Sequence, residues 1–284
     1  MGLRGVVHLN ELQIEQCLDL CAEASKEILR HYESSEMRTE VKQKEDRTPL
    51  TKADLASHRL LFDGLARVTP KIPVLSEESD EQAFQERHKW PVLWMVDPLD
   101  GTREFLDRTS EFTINLALID DHRPVFGVVY CPVTALAYLG APGVGAWRGT
   151  QQPEGWLYEE VRTRPLDSSR ATLLASKRHK NEKLLASIDW VQERRLLDRQ
   201  NFGSALKFCE LAEGRGDWYP RFSPCSEWDV AAGDALVTGA GGAVLAMDGT
   251  PMSYNGRDTV ASPHFLAVAD ARDDLWLEYL GWLQ

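Results

Sequence analysis

Long apolar runs are what this 284-residue sequence lacks most plainly, and none approaches the ~20 residues needed to cross a bilayer. Its start, Met1-Gly2-Leu3-Arg4, has no secretory apolar region, and Val6 stands where an acylation signal at Gly2 needs Ser or Thr. The expectation is a soluble, cytoplasmic protein with no transmembrane segment. Cysteine is scarce too: Cys17, Cys21, Cys131, Cys209 and Cys225 are odd in number and form no C-x-x-C pair. That excludes a disulfide framework and a zinc knuckle, and points to reduced, mostly buried thiols. Positive charge is in deficit, 32 Lys and Arg against 44 Asp and Glu for a net −12. A binder of DNA or duplex RNA needs a basic footprint, so that class is excluded, and a phosphorylated ligand must be drawn in locally by metal ions and a few fixed cations. No internal repeat is present. Hydrophobic residues make up 43%, enough for packed cores, and the length suits one large or two medium domains at ~150 residues each.

The most informative stretch is Asp97-Pro98-Leu99-Asp100-Gly101-Thr102. It follows an apolar run with β-branched residues, Val92-Leu93-Trp94-Met95-Val96, so the carboxylates are expected where a buried strand runs out into a loop. Pro98 lacks an N–H and turns the chain, aiming Asp97, Asp100 and the Leu99 carbonyl at one point. Hard oxygen donors without nearby Cys or His suit Mg²⁺ rather than zinc. The N–H groups of Gly101 and Thr102, at the expected start of a helix, can cap phosphate oxygens. Two further acidic clusters sit at element ends: Glu77-Glu78 after the apolar Ile72-Pro73-Val74-Leu75, and Glu227-Trp228-Asp229 opening a helical pattern. Singly, each reads as a solvated turn or a helix N-terminus; jointly they read as one site.

Apolar residues at Ile14, Cys17, Leu18, Cys21, Ala24 and Ile28 repeat with a helical period over 12–29. The charged, aperiodic stretch 32–47 is expected to be a mobile loop. A second helix runs through His58, Leu61 and Leu65, with Asp54 as an acid near its N-terminus. Residues 114–119 and 125–130 form an expected antiparallel hairpin, and the glycine-rich 140–149 reads as a turn rather than a nucleotide loop. The polar segment 149–164 with Pro165 marks an expected boundary between an α+β half, 1–165, and an α/β half, 166–284. A strand over 171–176 and helices over 181–191, 204–212 and 228–239 fill the second half.

Glu77-Glu78, Asp97 to Thr102 and Trp228-Asp229-Val230-Ala231-Ala232-Gly233 resemble the three signatures of the inositol monophosphatase superfamily of magnesium-dependent, lithium-sensitive phosphatases. The likeness runs from about Leu50 to beyond Gly249. It takes in Glu104-Phe105, Glu111-Phe112-Thr113-Ile114-Asn115, Gly203-Ser204-Ala205-Leu206-Lys207-Phe208-Cys209 and Tyr219-Pro220-Arg221-Phe222. Within the superfamily the chain is most similar to the CysQ-type bacterial 3'(2'),5'-bisphosphate nucleotidases. It departs from them at Thr109-Ser110, where close relatives tend to have Asn-Gly. The resemblance implies an α/β (α+β) fold, a layered αβαβα sandwich. It also implies two or three Mg²⁺ ions held by Glu77, Asp97, the Leu99 carbonyl, Asp100 and Asp229. On the same resemblance Thr102 and Glu77 relay a proton from the attacking water, and Asp54 orients water beside a third metal. It leaves room for peripheral association with the inner membrane.

A bisphosphate carries a second phosphate that an acidic cage cannot hold, so fixed cations are needed away from the metals. The resemblance assigns adenosine and 5'-phosphate contacts to the Ser176-Lys177-Arg178-His179 run, Ser204 with Lys207, and Arg221. The substrate contacts that the resemblance implies are thus Glu77, Leu99, Asp100, Gly101, Thr102, His179, Ser204, Lys207, Arg221 and Asp229. Taken alone, Lys207 reads as a solvated helix residue and Arg221 as the partner of an acid. The expected activity is hydrolysis of 3'-phosphoadenosine 5'-phosphate to AMP and phosphate, with an inositol or sugar monophosphatase as the alternative on the same metals. Aspartyl-phosphate phosphatases also end their motif in Asp-Gly-Thr, but with one residue between the aspartates where this chain has two. A metal-dependent nucleotide sensor without turnover is the remaining class.

Overall fold

A computed structural model describes residues 5–34, 42–43, 49–177 and 181–284. Helix α1 (Glu11–Glu33) opens on a capping box: the Asn10 side chain accepts from Gln13 N, and the Gln13 side chain accepts from Asn10 N. The expected apolar stripe, Ile14 to Ile28, is buried along it. Of the expected loop, 35–41 and 44–48 lie outside the described residues; Tyr32 and Glu33 are helical, and β1 (Lys42–Gln43) pairs antiparallel with β2 (Pro49–Leu50). Thr51 caps α2 (Lys52–Val68) in a second capping box, with Asp54 as its returning acid.

Strand β3 (Val74–Ser76), helix α3 (Glu81–Glu86), β4 (Val92–Asp100), α4 (Thr102–Leu106), β5 (Thr113–Asp120), β6 (Arg123–Cys131), β7 (Leu136–Ala141), β8 (Gly145–Gln152) and β9 (Gly155–Glu160) follow. The strands form one sheet in the order β3-β4-β5-β6-β7-β8-β9, parallel only at β3/β4. The expected hairpin is β5/β6, closed by Asp121 and His122 at φ of 44° and 64°, the left-handed pair of a type I′ turn whose twist matches the strands. The glycine-rich 140–149 spans a second hairpin, β7/β8, rather than a turn alone. The polar stretch 149–164 carries the end of β8 and all of β9, the sheet's solvent-facing edge, where polar side chains suit an exposed strand.

The second sheet comprises β10 (Arg170–Ala175), β11 (Leu196–Asn201), β12 (Trp218–Arg221), β13 (Ala243–Ala246) and β14 (Phe265–Val268), in the order β11-β10-β12-β14-β13. Helices α5 (Glu182–Gln192), α6 (Leu206–Ala212), α7 (Ala231–Gly239) and α8 (Asp274–Leu283) complete the chain. Strand alternation sorts the side chains into three cores. Trp94, Val96, Leu116 and Leu118 face α1 and α2, while Leu93, Met95, Ala117 and Ile119 face Phe208 of α6 and Leu236 of α7. Leu174, Tyr219 and Ala267 close that middle core from the second sheet, whose other face packs Leu173, Trp218 and Val268 on Trp190 of α5 and Trp276 of α8. The result is an αβαβα sandwich. Helix α7 lies directly on the first sheet's backbone: a Cβ at Gly127 would stand 2.5 Å from Ala232 O, and one at Gly140 2.4 Å from the Leu236 Cα. Glycine at both places lets α7, and the turn before it, come within reach of β4.

Candidate metal and phosphate site

Alternation in a regular strand would send Asp97 and Asp100 to opposite faces. The expected run-out into a loop is instead a bulge within β4: Asp97 pairs with Asn115 and Asp100 with Thr113, three steps along one strand against two along the other. The extra residue turns both carboxylates to one side. Leu99 N donates to Asp97 Oδ1 at 3.0 Å, and Ser57 Oγ donates to Pro98 O at 2.7 Å, fixing the bulge from within and from α2. The third acid arrives from the other half of the chain. Asp229 ends a 3-10 turn (Glu227–Asp229) just before α7, and its Oδ2 accepts from Ser226 N at 2.9 Å.

One oxygen each from Asp97, Asp100 and Asp229 lies within 4.8 Å of the others. Glu77 is not in that group; it follows β3, donates its N–H to Val96 O at 3.0 Å, and its charge raises both Asp97 and Asp229. Burial pushes Asp97 well above the carboxylate range, with Glu77, Asp100 and Asp229 adding repulsion. Burial, then Asp100 and Glu77, pushes Asp229 up to about 7. A group in which Asp97 and Asp229 resist ionising fits a cation, and with no Cys or His in it the donor set is hard oxygen.

Asp100 is held from the opposite side. Ser204 Oγ donates to its Oδ2 at 2.7 Å and lies 2.6 Å from Thr113 Oγ1, and Asn115 Nδ2 stands 3.4 Å away. Ser204 sits at φ 52°. Gly101 sits at φ 86°, where a Cβ would meet Glu111 O and the Ser204 Cβ at 3.1 Å, so a larger residue would be strained in this corner. Thr102, first in α4, has its Oγ1 3.4 Å from both Asp54 Oδ1 and Leu99 O. Asp54 is both a capping acid and a neighbour of the cluster: its Oδ2 accepts from Thr51 N at 2.8 Å, and burial, opposed by those bonds and aided by Glu78 and Glu77, pushes it up to about 7.

Lys207 is no surface residue. It is buried, donates to Phe202 O at 3.1 Å and Ser204 O at 2.5 Å, and lies over the Tyr219 ring. Burial and the nearby Arg221 bring its pKa down to about 8. Among the described residues Arg221 pairs with no acid either; its guanidinium donates to the Ser223 and Pro224 carbonyls at 3.1 Å. Both cations line one cavity with Asp100, Gly101, Ser204 and Asp229. Lys177 pairs with Glu111 at 2.6 Å, while Arg178 and His179 lie outside the described residues. Thr113 and Asn115 were legible only as part of the Glu111 to Asn115 run of the resemblance, with no role given to them, and Ser57 had no sequence signal pointing to the bulge. Ser110, at the departure from the relatives' Asn-Gly, sits at φ 65°, a conformation glycine adopts without cost, and its N–H donates to Tyr32 Oη at 3.2 Å.

The raised acids make cation binding pH-dependent. A carboxyl whose folded pKa lies above its unfolded 3.8 adds stability that is complete below 3.8 and lost as pH rises through about 7. A divalent cation displaces those protons. The gain in Tm on adding Mg²⁺ is therefore expected to be small near about pH 5 and on the order of 5 °C near about pH 8. Paired melts check this, and equal gains at both would contradict it.

The inositol monophosphatase family model matches residues 11–276. The chain is 38% identical over 252 residues to the 3'(2'),5'-bisphosphate nucleotidase CysQ of Salmonella typhimurium, covering 89% of this chain and 98% of that one. The Escherichia coli K12 protein of the same name matches with the same figures. Among solved structures, CysQ from Bacteroides thetaiotaomicron superposes with a TM-score of 0.77 at 32% identity, over 94% of this chain and all of that one. The Thermotoga maritima IMPase does so at 0.73 and 20% identity, over 94% and 95%, a likeness of fold alone.

Proposed function

Because this chain belongs to the inositol monophosphatase family, we propose that it is a Mg²⁺-dependent 3'(2'),5'-bisphosphate nucleotidase that hydrolyses 3'-phosphoadenosine 5'-phosphate to AMP and phosphate. The observation that carries this reading is a cavity lined by Asp100 and Asp229 together with Lys207 and Arg221. A simple monophosphate needs only the acids. Two fixed cations call for a second anionic group, which the 5'-phosphate supplies. Ser204 lines the same cavity, and His179 belongs to the same proposal.

Asp97, Asp100, Asp229, Glu77 and the Leu99 carbonyl would hold the ions, two or three in number. Bound there, Mg²⁺ supplies neutralisation of phosphate oxygens, a lowered pKa for the attacking water and stabilisation of the leaving alkoxide. The chain's own groups handle the proton. Asp54 and the Leu99 carbonyl both accept, so the Thr102 hydroxyl directs its proton to one of them and leaves its lone pairs for water. An Asp54 pKa of about 7 suits a group that takes up and returns a proton near neutrality. Glu77, at the end of β3, is the second proton acceptor. Gly101 and Thr102 present first-turn N–H groups to the phosphate. In this reading residues 1–165 carry most acids and 166–284 the nucleotide contacts with Asp229. The location is cytoplasmic; no described helix is long and apolar enough to cross a membrane.

The test compares 3'-phosphoadenosine 5'-phosphate with inositol 1-phosphate under Mg²⁺. The nucleotide is expected to win by at least ~10-fold in kcat/KM, the worth of one charge-assisted bond. A comparable preference for inositol 1-phosphate would reject the nucleotide assignment in favour of an inositol monophosphatase.

A further inference from the structure

The turn that carries Asp229 is anchored through a residue outside the acid cluster. Glu227 precedes it by two positions in the same 3-10 turn and is fully buried. Both its carboxylate oxygens are taken: Oε2 accepts from Asn255 N and Oε1 from Arg257 Nη2, each at 2.7 Å. Asn255 is clamped in turn by Arg87, the buried C-cap of α3. Arg87 Nη1 donates to Asn255 Oδ1 at 2.8 Å, and Asn255 Nδ2 donates back to Arg87 O at 2.9 Å. The second guanidinium nitrogen of Arg87 donates to Arg257 O at 2.6 Å and Asp258 O at 2.8 Å.

Segment 251–258 is therefore a strap. It leaves β13 in the second sheet and crosses to the first, where Arg123 also donates to Pro251 O and Met252 O at 2.9 and 2.6 Å. Glu227 is where the strap meets the Asp229 turn. Its main chain is fixed as well, since Glu227 N donates to Val260 O at 2.8 Å and Val230 N to Glu227 O at 3.1 Å. We propose that Glu227, clamped by Asn255 and Arg87, is a positioning residue that sets Asp229 at the distance from Asp97 and Asp100 that a divalent cation requires. With both oxygens engaged, Glu227 does not itself reach the ion. The inference rests on the reading that Asp229 is a metal ligand.

Calorimetric titration with Mn²⁺ alone, without substrate, tests it on the wild type, D229N, E227Q and N255G. E227Q keeps the volume but turns an N–H toward Arg257, breaking one anchor. N255G removes the Arg87 link while allowing the φ of 57° at that position. Should E227Q fail to fold, N255G carries the test. Both are expected to bind Mn²⁺ about tenfold or more weakly, the usual cost of losing a group that orients a ligand. A merely structural role would lower the metal-free Tm and leave Mn²⁺ affinity at the wild-type value, which overturns the inference while D229N still binds poorly. A wild type with no Mn²⁺ affinity, or D229N binding as wild type does, overturns the metal reading itself.

Discussion

Asp97→Asn is expected to lower Mg²⁺-dependent phosphate release by at least ~10²–10³-fold, the scale of losing one preorganised charge-stabilising group, and at the same time to raise the Tm of the metal-free protein. The two effects share one cause. Asp97 is buried among acids, so its charged form is disfavoured by desolvation and by Glu77, Asp100 and Asp229. An amide of the same shape removes that repulsion, and its oxygen can still accept the Leu99 N–H that shapes the bulge. The loss of rate is then chemical, not conformational. Steady-state kinetics over a Mg²⁺ series and melts in chelator check both halves. A near-normal rate would remove Asp97 from the cation site, and a lowered metal-free Tm would show that its carboxylate stabilises the fold.

The second large effect concerns substrate choice. Arg221→Gln is expected to raise KM for 3'-phosphoadenosine 5'-phosphate by ~10- to 100-fold, matching the ~1.5–3 kcal/mol of a hydrogen bond to a charged group. KM for p-nitrophenyl phosphate should stay within about threefold, because that substrate has no second phosphate to hold. Arg221 is the cleaner probe of the cation pair. Lys207 also holds the Phe202 and Ser204 carbonyls, so its removal would disturb Ser204 and, through it, Asp100. Equal changes for both substrates would assign Arg221 to support of the 223–224 turn.

The parts of this molecule that were legible in the sequence are those set by local chemistry. The stripe from Ile14 to Ile28 gave α1, and paired apolar runs gave the β5/β6 hairpin. The acids at Glu77, Asp97, Asp100 and Asp229 were recognisable because motif spacing, like capping, is written in adjacent residues. What was not legible depends on partners distant in the chain. Polar 149–164 gave no sign of strand β9, because an exposed edge strand and a loop have the same exposure and so the same composition. Lys207 looked like a solvated helix residue because nothing local announces that Phe202 O, Ser204 O and the Tyr219 ring will enclose its ammonium. The bulge at Asp97/Asp100 was read as a loop, since only the register against Asn115 and Thr113 shows that the ladder resumes. The Arg87–Asn255–Glu227 clamp had no sequence signal at all.

Helix α7 resting on the bare backbone of Gly127 and Gly140 has a consequence for how the protein matures. Asp97 and Asp100 emerge early in synthesis and Asp229 late, so the full set of oxygens exists only after α7 has docked on the first sheet. A nascent chain exposing just the first sheet offers Asp97 and Asp100 without their third partner. On the proposed reading of the cluster, a cation would then be gripped only once this late-made helix has seated.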